Sequence, residues 1–151
     1  MTTTAAQRVC LSMIVKDEAP VIGRCLQALR PFIDCWCIVD TGSSDATPAL
    51  IERQLAGLPG TLHRRPWRNF AHNRNEALDL GRELLSSLAA GAGADRRDYL
   101  MVIDADETLE LPVGYERPML HAAAYELEMR FAEMSYARPS LVAAAAPWRY
   151  Q

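Results

Sequence analysis

The sequence predicts an α/β fold, a mainly parallel sheet wound with helices, and three observations predict it. Short apolar runs at Val9–Val15, Cys35–Val39 and Tyr99–Ile103 read as strands buried on both faces. Segments with apolar residues at helical spacing separate them. Each run closes on acidic residues: Lys16-Asp17-Glu18, Asp40-Thr41-Gly42-Ser43-Ser44-Asp45 and Asp104-Ala105-Asp106. Strand, helix, strand, helix with short links begins a right-handed parallel sheet, and ligands of open sheets bind beyond the carboxyl ends of the strands. The three acidic ends therefore mark one candidate crevice.

Taken in order, Val9–Val15 is the first strand, and Pro20 after it suits a first helical turn. Val21, Ile22, Cys25, Leu26 and Leu29 recur at helical spacing, giving an amphipathic helix over Pro20–Leu29 that Pro31 ends. Cys35–Val39 is the second strand. The turn after it uses Gly42 for an unusual backbone conformation, Asp45 or Thr47 as a cap and Pro48 near the start of a helix that runs to about Leu55. Leu62-His63 reads as a short third strand, followed by the basic, aromatic link His63–Phe70 and a helix from Ala71 to Leu88. Ala89–Ala94 is a small, Gly-rich surface link, and Leu109–Pro118 is irregular. Tyr125, Leu127, Met129 and Phe131 alternate with Glu126, Glu128 and Arg130, the pattern of a half-exposed strand, and Ser140–Ala146 reads as a last strand.

A chain of 151 residues is read as one domain, long enough to bury roughly 70% of its unfolded surface. Its formal charge of −3 gives no basic excess for nucleic acid. No apolar run approaches the ~20 residues that cross a bilayer. Residues 1–8 lack a signal-peptide pattern, so a cytoplasmic location is expected. Cys10, Cys25, Cys35 and Cys37 match neither a zinc spacing nor a disulfide framework and are expected to be buried free thiols. Lys16 is the one Lys, which removes any mechanism needing a second.

Asp104 and Asp106 stand two positions apart, so on an extended backbone their carboxylates point the same way. Two converging carboxylates repel unless protons or a cation compensate, and a hard divalent ion with oxygen ligands is the common solution. A pair of this kind also serves to cap the next helix or face water; alone it does not decide. Asp40 could accept from the N–H of a base, or simply belong to a well-made turn. Phe70-Ala71-His72-Asn73-Arg74-Asn75 opens a helix, where free N–H groups favour an anion and Arg74 adds a forked charge; a solvated Arg is the alternative there.

Jointly, Leu11–Glu18, Ile38–Thr47, Phe70-x-x-x-Arg74-Asn75 and Val102–Glu107 resemble the family 2 glycosyltransferases, inverting sugar-nucleotide enzymes, and most closely the bacterial branch often linked to tetratricopeptide repeats. The resemblance spans about residues 8 to 150. It implies a GT-A-type, Rossmann-like αβα sandwich that binds a nucleoside diphosphate sugar, a UDP-sugar first of all. It further implies that Asp40 contacts the base, Arg74 lies near base or diphosphate, and Asp104 approaches the ribose. Asp106 would bind Mg²⁺ or Mn²⁺ bridging the diphosphate, and Val15, Asp17 and Ala105 would complete the donor site. The chain departs from the pattern at Asp17, where Asn commonly precedes Glu, and at Asn73, where a small residue commonly precedes Arg-Asn. Family members continue past the point where this chain ends. The expectation is thus a donor half with the C-terminal, acceptor part incomplete, an unidentified acceptor, and no assignable catalytic base; Glu126, Glu128 and Glu133 read better as strand or surface residues.

Two other readings accompany this one. A catalytically incomplete remnant would still bind nucleotide, and its unfinished sheet would favour self-association. Asp104-Ala-Asp106-Glu-Thr108 also matches the first motif of haloacid-dehalogenase-type phosphatases, with Asp104 as nucleophile. That chemistry needs a Lys and further acidic residues downstream, and the chain has no Lys after 16 and no Asp after 106.

Overall fold

The computed structural model describes residues 7–90 and 97–151. The expectations for residues 1–6 and for the part of the Ala89–Ala94 link beyond residue 90 fall outside them. The chain forms β1 (Val9–Val15), α1 (Ala19–Leu29), β2 (Cys35–Asp40), α2 (Thr47–Gln54), β3 (Gly60–Arg64), α3 (Phe70–Leu88), β4 (Tyr99–Val102), β5 (Ala124–Phe131) and β6 (Met134–Ala143). The strands make one sheet in the order β3-β2-β1-β4-β6-β5. The first four strands in that order are parallel, while β6 runs antiparallel to β4 and β5 antiparallel to β6. This is the mostly parallel, helix-covered α/β sheet that the sequence predicts.

The side-chain alternation of β1 explains the layers. Val9, Leu11, Met13 and Val15 pack with Ile22, Cys25, Leu26 and Leu29 of α1 and with Ile51 of α2. Cys10 on the opposite face packs with Cys35, Cys37, Leu100 and Val102 under Leu78 and Leu85 of α3. Two helices thus cover one face and one covers the other, the αβα arrangement. Helix α3 lies so close to the sheet that a Cβ on Gly81 would stand 2.8 Å from Leu100 Cδ2.

All four cysteines are buried and free, as expected. Burial pushes the Cys25 and Cys37 thiols up to about 12, which removes them as nucleophiles near neutral pH. No helix among the described residues is long and apolar enough to cross a membrane.

Two expectations need correction. The last strand begins at Met134, six residues before the anticipated Ser140, and ends at Ala143. It pairs with β5 through a tight turn in which Ala132 takes φ 51°. Its early part lacks an apolar run and contains Pro139, which has no N–H to give a ladder. That proline is accommodated opposite Glu126, beside the register shift between Tyr125 and Glu126. The second correction concerns β4, which stops at Val102 instead of carrying an extended backbone through Asp106. A turn closes instead, the Glu107 N–H donating to the Asp104 carbonyl at 3.0 Å.

Candidate functional site

The order β3-β2-β1-β4 places the switch in winding direction between β1 and β4, the position where open α/β sheets hold their ligands. A cavity of about 400 Å³ opens there. Its walls are the end of β1 (Ile14, Val15, Lys16) with Glu18, Thr41 after β2, Arg74 with Trp67 and Phe70 at the start of α3, and Asp104, Ala105 and Asp106 after β4. Residues far apart in sequence meet because parallel strands deliver their carboxyl ends to one rim.

Asp40 ends β2 and is buried. Its Oδ1 accepts from the N–H groups of Gly42 and Ser43 at 2.8 and 2.7 Å, a turn that Gly42 permits with φ 120°. Oδ2 has no partner among the described residues. Asp40, Gly42, Arg64, Arg65 and Pro66 line a second, smaller hollow at the same β2 end. An unsatisfied buried carboxylate oxygen costs free energy unless a donor reaches it.

Asp17 is turned away from the cavity and laces two loops together. Its Oδ1 accepts from the Ser44 N–H at 2.7 Å, and its own N–H donates to Ser43 Oγ at 2.9 Å. Asp45 completes the seam, accepting from the Thr47 hydroxyl at 2.5 Å and from the N–H groups of Thr47 at 2.9 Å and Ala19 at 3.2 Å; the hydroxyl first, and then the N–H groups, hold its carboxyl below the ordinary carboxylate value. The N-cap of α2 is Ala46, with no side-chain cap bond, so neither Asp45 nor Thr47 is the cap that the sequence suggests: Thr47 is the first helical residue and Asp45 stands one position before the cap.

Helix α3 is capped by Asn69, whose side chain accepts from the His72 N–H at 2.8 Å. Asn73 is fully buried. It accepts from the Arg68 N–H at 2.9 Å and donates to the Pro66 carbonyl at 3.1 Å, so it fixes the loop that carries Trp67. Trp67 and Phe70 meet edge to face at 4.9 Å and remain exposed at the cavity mouth. One turn into the helix, Arg74 pairs with Asp104, lies 6.0 Å from the Tyr150 ring centroid, and keeps a buried Nη1 without a partner among the described residues.

The two carboxylates of Asp104-Ala105-Asp106 part company. Asp104 is compensated by guanidinium groups, Arg74 on one oxygen and Arg138 of β6 at 3.7 Å from the other. Glu107 steadies the turn, accepting from the Asp104 N–H and from Arg138, both at 2.8 Å. Asp106 is exposed, and its carboxylate makes no hydrogen bond or ion pair among the described residues. Across the cavity, burial and then the charges of Asp106 and Asp104 raise the Glu18 carboxyl. The rim beside Asp106 thus gathers negative charge, with Lys16 on the same wall and Arg24 donating to the Asp106 carbonyl at 3.4 Å as the nearby cations.

No group of three or more His, Cys, Asp or Glu among the described residues is placed to hold a metal ion alone. The free Asp106 carboxylate still suits an ion that takes most of its oxygens from water and from a bound phosphate, as Mg²⁺ does. Glu18, Thr41 and Phe70 lie inside the motifs read from the sequence, which give them no role, and Trp67, which completes the aromatic pair, and Arg138 were missed as site residues. For the aromatic pair the signal was present, an exposed aromatic pattern inside a basic link; for Arg138 there was none.

No protein-family model matches the chain. Among curated proteins it is 37% identical over 112 residues to a TPR repeat-containing protein of Synechococcus elongatus, covering 74% of this chain and 24% of that one. It is 29% identical over 116 residues to the lipopolysaccharide core biosynthesis glycosyltransferase LpsC of Rhizobium meliloti, covering 76% of this chain and 37% of that one. The chain thus spans about a quarter and about a third of these relatives' lengths. Similar solved structures include S. aureus TarS 1-349 in complex with UDP, at 17% identity and a TM-score of 0.49, covering 66% of this chain and 28% of that one. Another is the Mycobacterium tuberculosis glucosyl-3-phosphoglycerate synthase with Mn²⁺, UDP and glucosyl-3-phosphoglycerate, at 19% identity and a TM-score of 0.43, covering 67% of this chain and 34% of that one. The resemblance to glycosyltransferases and the link to tetratricopeptide-repeat proteins, both read from the motifs, are borne out by these sequence relatives.

Proposed function

We propose that this chain is the donor-binding part of a glycosyltransferase, taking a nucleoside diphosphate sugar, a UDP-sugar in the first instance, at the carboxyl rim of β1, β2 and β4. The observation that carries the reading is the cavity at the β1/β4 switch, which gathers Val15, Arg74, Asp104, Ala105 and Asp106 around one space beside Asp40. The sequence likeness to a lipopolysaccharide glycosyltransferase supports the same class.

The unsatisfied groups suit such a ligand. Asp40 offers a bare acceptor in the smaller hollow, suited to the N–H of a pyrimidine base, and Arg74 a bare donor on the wall of the larger cavity. Arg74 holds Asp104 in place, leaving that carboxylate to accept from a sugar hydroxyl such as the ribose's. Lys16, on the cavity wall, is a point charge for phosphate. Asp106 would hold a Mg²⁺ or Mn²⁺ ion together with diphosphate oxygens. The chemistry supplied by an ion held there is Lewis-acid neutralisation of the charge gathering on the leaving diphosphate. Transfer with inversion requires a base that deprotonates the acceptor hydroxyl for direct attack at the anomeric carbon. Glu126, Glu128 and Glu133 lie on the exposed β5–β6 hairpin and its turn, and none lines the cavity, so none is assigned that role. The phosphatase reading fits poorly, because a nucleophilic Asp104 would have to leave its pairing with two guanidinium groups.

Calorimetric titration with UDP, with and without Mn²⁺, tests the proposal. Binding that Mn²⁺ strengthens in the native chain and no longer strengthens in Asp106→Ala is the expected result. Equal strengthening of both proteins by Mn²⁺ overturns the assignment of Asp106, and absence of UDP binding at any Mn²⁺ concentration overturns the donor site.

A further inference from the structure

The long free edge of the sheet carries a pattern that the nucleotide site does not use. Among the described residues β5 is the last strand and pairs with β6 alone. β4 holds β6 only at Leu141, Val142 and Ala143, so residues 126–138 run on as a two-stranded arm. Its directly opposed pairs Leu127·Arg138, Met129·Tyr136 and Phe131·Met134 share one face, and Glu128·Ala137 and Arg130·Ser135 share the other. Phe131, Met134 and Tyr136 are 72%, 63% and 51% exposed.

The two-residue turn makes Phe131·Met134 a hydrogen-bonded pair, and alternation then aims the backbone N–H and C=O of Glu128 and Arg130 at the free edge. An edge of this kind is a template for another strand.

We propose that β5 pairs antiparallel with β5 of a second copy of this chain, about a two-fold axis at Met129. In that register Glu128 faces Arg130 of the second copy and Arg130 faces its Glu128. On the other face Leu127 meets Phe131 and Met129 meets Met129. Of the adjacent registers that keep the faces matched, one centres Glu128 on Glu128, a like-charge contact set against two Glu126–Arg130 pairs, and the other centres Arg130 on Arg130 with no opposite pair; a slip of one residue sets the apolar face against the charged one. Among these, the Met129-centred register alone combines opposite-charge pairs with no like charges opposed, the self-complementarity that a two-fold interface requires. In the single chain Glu128 accepts from Arg130 at 3.1 Å and from the Ser135 hydroxyl of β6 at 2.8 Å, both exposed contacts that pairing with a second copy would exchange for the intermolecular ones.

Sedimentation equilibrium of the whole chain over a concentration series tests this. A reversible monomer–dimer equilibrium is expected for the native chain. Glu128→Arg turns both symmetric pairs into like-charge contacts and weakens the dimer about tenfold or more. The swap Glu128→Arg with Arg130→Glu restores opposite charges and brings the dimer back, with circular dichroism unchanged in both variants. A native chain that stays monomeric throughout, a dimer indifferent to the single reversal, or a double variant no stronger than the single overturns the proposal. The outcome is independent of nucleotide binding, since neither residue lines the cavity.

Discussion

The parallel body of the molecule, β1 to β4 with its three helices, and the antiparallel β5–β6 arm solve opposite problems. In the body the strands inside the edge strand β3 are buried on both faces: every residue of β2 and β4 is buried, and apolar side chains leave both sides of the sheet. In the arm, charged and apolar side chains alternate, and much of both faces meets solvent. The difference teaches where each kind of function can sit. A sheet covered on both faces has only its strand ends to offer, so the body presents chemistry at a rim. An uncovered arm offers its edge, so it presents a surface.

Substituting the same residue type in each region should produce the largest contrast. Met101→Ala in β4, fully buried, is expected to lower stability by about 2–5 kcal/mol in urea unfolding. Met134→Ala at the arm's tip should stay within about 0.5 kcal/mol. A similar loss for Met134→Ala would mean the arm is packed after all. Next in size, Gly81→Ala should cost about 1–3 kcal/mol, because its Cβ would press on the buried Leu100 across the α3 contact; an unchanged midpoint would show the helix can lift away.

Arg138 joins the two regions, and its removal sharpens the comparison further. Arg138→Ala frees Glu107 and one side of Asp104, so UDP affinity is expected to fall roughly three- to tenfold by calorimetry, with stability changed by less than about 1 kcal/mol. Loss of stability without loss of affinity would make Arg138 merely a strut. The smallest effect belongs to Asp45. Its carboxyl lies below its ordinary value in the folded chain, chiefly through the Thr47 hydroxyl, so its contribution is complete above the unfolded value and disappears as pH falls through the folded one. Asp45→Asn should therefore flatten part of the acid limb of the stability profile and leave the neutral plateau's pH dependence unchanged.

Legibility in the sequence followed the same division. Val9–Val15 could be read residue for residue and α3 to within one residue, because continuous apolar runs and helical spacing are local consequences of burial. Carboxylates at strand ends were legible as a common rim for the same reason. The first half of β6 was not, since Met134-Ser-Tyr-Ala-Arg-Pro is exposed and needs no apolar pattern. Nor was the partition of Asp104 and Asp106: the strand ends at Val102, and Arg74 and Arg138, remote in sequence, neutralise the first carboxylate and leave the second bare. Pairing of that kind is decided by tertiary packing.

Amide chemical-shift mapping of the isotopically labelled chain during a UDP titration with Mg²⁺ tests the central claim most directly. The account predicts shifts concentrated at residues 14–18, 40–43, 67–74 and 103–107, with residues 128–136 silent. Shifts confined to the arm, or to the opposite, amino ends of the strands, would contradict it.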